Sequence, residues 1–192
     1  MRRILIVLFI LLLSGCQTKE VVDDNLLRYQ AIENSIIEKS EFKCTSQYYD
    51  MELEMSKIDE NNYRYYLTLL NPKVAMYDLI VAAKDVDEFN NDELMMPSKG
   101  IFDDIKYKLI PNQYNLEKGF VKGIILSGIK TIEDNQDPYI DLRLYVQWKN
   151  QDYSIDTVEY LQIKHHLRDV THHEVSDEEG NENADYQDNG VE

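Results

Sequence analysis

Across residues 47–164 hydrophobic and polar positions alternate with a period of two, the spacing that puts successive side chains on opposite faces of a strand. Met51, Leu53 and Met55 alternate with Glu52, Glu54 and Ser56. Residues 59–62 (Asp-Glu-Asn-Asn) are turn chemistry, after which Tyr63, Tyr65, Leu67 and Leu69 share one side of a second run, with Arg64, Tyr66, Thr68 and Leu70 on the other. Asn71-Pro72 stops it, because the residue before proline is pushed away from helix and proline has no N–H for a ladder. Tyr77, Leu79, Val81 and Ala83 form a third run, and Ile105, Tyr107 and Leu109 a fourth. Residues 120–126 form a fifth, in which Gly123 signals a bulge or a close backbone approach. Leu142, Leu144, Val146 and Trp148 line one face of a sixth, and Asn150-Gln151 turns the chain into a seventh over 153–163. Seven strands with little helix predict a mainly β domain over 45–168: an antiparallel, immunoglobulin-like β-sandwich in general architecture. The Cys…Trp…Cys spacing of antibody domains is absent, so the expectation stops at architecture.

Upstream the period changes. Over 25–42, Leu26, Tyr29, Ile32, Ile36 and Ile37 fall on one helical stripe, opposite Arg28, Glu33, Asn34 and Glu38, with Asp24 or Asn25 placed to cap the start. One short amphipathic helix needs a surface to pack on. The β domain is the nearest, a partner protein the alternative, and lipid headgroups fit less well because the polar face is not rich in Lys and Arg. Residues 85–100 and 111–118 are longer than simple turns, and such connections are where binding residues concentrate. Asn112 and Tyr114 in the second, with Arg64 and Tyr66 on the outward side of the second run, are the candidate binding residues. A concave pocket between the two connections would favour a small ligand.

At the N-terminus Arg2-Arg3 precedes an unbroken apolar run over 4–13. Ten residues make a helix of about 15 Å, half of what the roughly 30 Å hydrocarbon core requires, so the layout predicts an export signal rather than a span. The run closes on Leu13, Ser14, Gly15 and Cys16, which resembles the bacterial lipobox. The resemblance implies diacylglycerol linked to the Cys16 sulfur and cleavage before it: a signal peptide over 1–15, a tether over 16–24, and a lipoprotein held to the bilayer on the extracytoplasmic side of the cell membrane. Each buried CH₂ of the lipid is worth about 0.8 kcal/mol, so two or three chains make a firm anchor. Cys44 is then the one remaining thiol, expected to be buried as a small hydrophobe.

The chain has 192 residues, with 36 Asp+Glu against 20 Lys+Arg and a net charge of −16. That acidity argues against nucleic acid, whose phosphates need a basic face. Eight acidic residues and no Lys or Arg fall in 174–192, so residues 169–192 are expected to be a disordered acidic tail. His165-His166 and His172-His173 flank that tail and lack the rigid support a metal site needs. Asp134-Asn135-Gln136-Asp137 offers hard oxygens without a calcium-loop pattern and ends in Asp-Pro turn chemistry. No G-x-S-x-G, H-E-x-x-H or phosphate-loop motif occurs, and neither a metal nor a cofactor is expected. The leading expectation is a non-enzymatic interaction module presented to an envelope or secreted protein. The alternatives are a surface binder of a peptide, glycan or calcium, and an immunity-type lipoprotein that neutralises a basic toxin by electrostatic steering.

Overall fold

The computed structural model describes residues 23–89, 95–112, 118–132 and 139–167. The export signal, the lipobox, the acidic tail, Tyr114 and His172-His173 lie outside them. One helix, α1 (Asp24–Glu38), precedes eight strands: β1 (Asp50–Lys57), β2 (Asn62–Leu70), β3 (Met76–Asp85), β4 (Ser98–Lys99), β5 (Tyr107–Leu109), β6 (Ile124–Thr131), β7 (Tyr139–Lys149) and β8 (Asp156–His166). The protein is mainly β, with two antiparallel sheets. The smaller has the order β1-β2-β6; the larger has β4-β3-β7-β8, with β5 also paired to β3.

The alternating pattern places the core. Tyr65, Leu67 and Leu69 of β2 and Ile124 and Leu126 of β6 join Leu79, Val81 and Ala83 of β3, Leu142, Leu144, Val146 and Trp148 of β7 and Leu161 of β8 in one buried cluster. Met51, Leu53 and Met55 pack on its flank while Glu52 and Glu54 face solvent. Each fully buried aliphatic side chain in such a cluster contributes roughly 1.5–3 kcal/mol of transfer free energy.

The larger sheet is covered on its other face as well. Tyr29, Ile32 and Ile36 of α1 form a second buried cluster with Ile80, Ala82, Met96, Ile101 and Tyr145. The helix therefore docks on the β domain, with Leu26 and Ile37 of the expected stripe left partly exposed. Its cap is Asp23, one residue ahead of the expected pair, whose carboxylate accepts from the Asn25 N–H at 2.9 Å. The helix also ends at Glu38, short of residue 42. The next segment finds a better partner: the Lys43 N–H donates to the Tyr160 carbonyl at 3.0 Å, and the Gln162 N–H donates to the Lys43 carbonyl at 2.9 Å. Phe42 lies edge-on to Tyr160 and under the Arg143 guanidinium. Pairing with the edge of β8 satisfies this backbone and leaves Phe42 half-buried.

Two further expectations change. The connection over 85–100 contains a 3-10 turn (Val86–Glu88) and the two-residue β4, so it carries structure of its own. The run expected over 120–126 begins four residues later, at Ile124, and Gly123 precedes the strand. A Cβ at Gly123 would sit 2.9 Å from the Leu69 carbonyl oxygen, so the close-approach reading of that glycine is the right one.

Candidate functional site

The register sets out the bare face of the smaller sheet row by row. Ser56, Arg64 and Ile129 lie side by side across the three strands, then Glu54, Tyr66 and Ser127, then Glu52, Thr68 and Ile125. Tyr66 thus has Ile125 and Ile129 as its diagonal neighbours, within reach of an aromatic side chain. Ile125 is 55% exposed, Ile129 52% and Tyr66 36%. On the larger sheet the equivalent outward positions, Ile80, Ala82 and Tyr145, lie under α1. Of the expected binding residues, Arg64 and Tyr66 stand together on this face. Asn112 does not join them: it follows β5, which belongs to the larger sheet, and is exposed with φ 54°. Ile125 and Ile129 are the residues that strand counting missed. The signal for Ile125 is the three-residue apolar run over 124–126, too many apolar side chains for a strand with one buried face; Ile129 lies beyond the run expected over 120–126.

A second feature lies where β3 bulges. Its register with β7 shifts between Tyr77 and Ile80, and with β5 between Met76 and Leu79. Asp78 occupies the bulge with φ 48°, a conformation that aspartate tolerates better than most residues. Its Oδ2 meets the Lys106 ammonium at 3.2 Å, and its buried Oδ1 has no partner. Beside it opens a cleft of about 300 Å³ whose walls include Arg28, Gly100, Asp103, Lys106 and Lys149. A neighbouring cleft shares Asp78 and Lys106 and reaches Lys118. Neither is lined by both long connections, and residues 90–94 and 113–117, on which the pocket expected between them depends, lie outside the described residues.

Charge is buried at the rim between the sheets. Lys130 of β6 is 3% exposed and Asp85 of β3 2% exposed, with Nζ and Oδ2 3.0 Å apart. This is an ionic contact without hydrogen-bond alignment, since that oxygen has no hydrogen-bond partner. Lys130 also donates to the Asp87 carboxylate, and Lys84 donates to Glu33 of α1. Burial pushes the Asp85 carboxyl above its ordinary range against the pull of Lys130. Burial, and then the charge of Asp85, does the same to Glu88. For Lys130, burial works against the ammonium, but its hydrogen bond to the Asp87 carboxylate and the neighbouring charge of Asp85 prevail and its pKa is raised.

At the opposite rim Glu159 is buried and held by Lys43 at 2.8 Å and by the Ser46 hydroxyl at 2.6 Å. Cys44, expected inside, is exposed, because the segment that carries it crosses the surface on its way from the β8 edge to β1. His165 and His166 close β8 opposite Ile140 and Tyr139. Among the described residues no three His, Cys, Asp or Glu side chains converge to hold a metal ion, and no helix is long and apolar enough to cross a membrane. No family model, no curated protein and no solved structure matches this chain.

Proposed function

We propose that this chain is a lipid-anchored, non-enzymatic interaction module of the bacterial cell envelope, and that it meets its protein partner through the outer face of the β1-β2-β6 sheet. The observation that carries the reading is the contiguous exposure of Tyr66, Ile125 and Ile129 beside Arg64. Exposed apolar groups clustered on one face mark interaction surfaces, and tyrosine and arginine are the side chains most enriched at their energetic centres. The strand order supports an immunoglobulin-like sandwich. With strands lettered A, B, C, C′, D, E, F and G in chain order, β1-β2-β6 corresponds to A-B-E and β4-β3-β7-β8 to C′-C-F-G, while β5, at the D position, departs from that arrangement by pairing with β3. The anchor rests on the lipobox-like Leu13-Ser14-Gly15-Cys16.

Affinity capture from cross-linked membranes tests the reading. The unmodified chain is expected to recover a discrete partner that a Tyr66→Asp, Ile125→Asp variant loses, with fold and membrane attachment unchanged. Equal recovery by both chains contradicts it. Independently, Cys16→Ser is expected to move the protein out of the detergent-requiring fraction; a variant that stays there overturns the anchor.

A further inference from the structure

Strand edges are sites of unwanted pairing, and this protein blocks most of its own. The β8 edge is occupied by the backbone of Lys43, and at the other end of that sheet β4 is only two residues long. On β6 an inward-pointing charge, Lys130, is committed to Asp85. β1 has no such device. Its eight residues keep an unbroken register with β2, and among the described residues nothing pairs with its other side. The Ile58 N–H donates to the Asn62 carbonyl at 2.8 Å, which fixes the alternation of the ladder. Asp50, Glu52, Glu54 and Ser56 therefore turn their backbone groups toward β2, and Met51, Leu53 and Met55 turn theirs outward. Beside this edge, between β1 and β8, lies a cleft of about 350 Å³ walled by Met51, Leu53, Tyr49, Ile163, Ser46 and Cys44. The side chains of Glu52 and Glu54 stand exposed on the other face of the same strand.

We propose that the β1 edge accepts an extended segment of a partner protein in which apolar and basic residues alternate. The segment adds a fourth strand to the smaller sheet. Main-chain hydrogen bonds to Met51, Leu53 and Met55 supply affinity, apolar side chains enter the cleft, and Lys or Arg side chains lie beside Glu52 and Glu54. Charge selects this occupant. A second copy pairing edge to edge would bring its own Glu52 and Glu54 against these, and residues 174–192 of the same chain carry eight acidic groups and no basic one. The proposal deepens the interaction reading and rests on it; it adds the backbone edge of β1 and the inner cleft, while Glu52 and Glu54 stand on the same outer face as Tyr66 and Ile125.

The test uses the full chain in phosphatidylcholine nanodiscs and a synthetic peptide of about eight residues alternating lysine and valine. Residue-resolved hydrogen exchange is expected to show new protection at the amides of Met51, Leu53 and Met55. A peptide N-methylated on its edge-facing amides should give none, and Glu52→Lys, Glu54→Lys should weaken binding by about tenfold or more while favouring a glutamate–valine peptide. Absence of binding, protection confined to other strands, equal binding by the charge-reversed variant, or self-association through β1 overturns strand addition. If partner capture through Tyr66 persists in that event, the interaction reading survives without it; if capture is lost as well, both fall.

Discussion

The two sheets share one core and differ in what lies behind them. Behind the larger is α1, which buries Ile80, Ala82 and Tyr145; behind the smaller no element lies among the described residues, and Tyr66, Ile125 and Ile129 are exposed. The larger sheet is thus a structural middle layer, buried on both sides as its near-continuous burial along β3 and β7 shows. The smaller alternates buried and exposed positions along β2 and β6. A domain of this size can leave apolar side chains in water on one face when its stability is supplied elsewhere. That division of labour makes the bare face the place to look for function.

Substitutions that separate the two sheets should have effects of very different size. The largest is expected at the charged seam. Lys130→Met leaves Asp85 buried without its cation and should cost about 4 kcal/mol in denaturant unfolding at neutral pH, followed by the single tryptophan, Trp148. Adding Asp85→Leu should recover most of that loss; no recovery would mean the seam acts through packing rather than charge. Next comes the helix. Ile36 is fully buried, and Ile36→Ala should cost about 3 kcal/mol through lost transfer and a residual cavity. A loss under about 1 kcal/mol would show that α1 covers the sheet without supporting it.

Glu88 gives a smaller, pH-dependent effect. Its folded pKa is raised by burial and by Asp85, so the stability it contributes is fully present below its ordinary value near 4.5 and is lost as pH rises through the folded value. Glu88→Gln should therefore raise the melting temperature at pH 7 and do nothing at pH 4. An equal gain at both pH values would remove charge from the explanation. The smallest effect belongs to the bare face, where Tyr66→Ser and Ile129→Ser should change stability by no more than about 0.5 kcal/mol. A larger loss would mean that this face is packed against something the described residues do not include.

How much of this was legible in the sequence depends on what each residue answers to. Strand alternation answers to the pleat, so the inward positions of β1, β2 and β7 could be read directly. The helix start was readable to within a residue or two, but its end was not, because Lys43 answers to the β8 edge, a partner more than a hundred residues away. Arg64 and Tyr66 were placed on the outer face by parity. Ile129 lies beyond the expected run over 120–126, because the strand starts four residues later; Ile125 lies inside that run, where the apolar stretch hides which side faces out. The Lys130–Asp85 seam carries no local signal: neither residue is unusual where it stands, and their meeting depends on two sheets closing face to face. Cys44 was misplaced for the same reason, since composition predicts burial and the path of the chain over the rim decides otherwise.

The central claim is that the outer face of the smaller sheet meets a protein partner. Site-specific photo-cross-linking in membranes tests it most directly, with the reactive group at position 125 on that face or, as control, at position 27 on the exposed side of α1, where Leu27 is equally open to solvent. The account predicts a discrete cross-linked species from position 125 that is absent from position 27 and is lost with Tyr66→Asp. The same diffuse background from both positions, or a discrete species from position 27 alone, would contradict it.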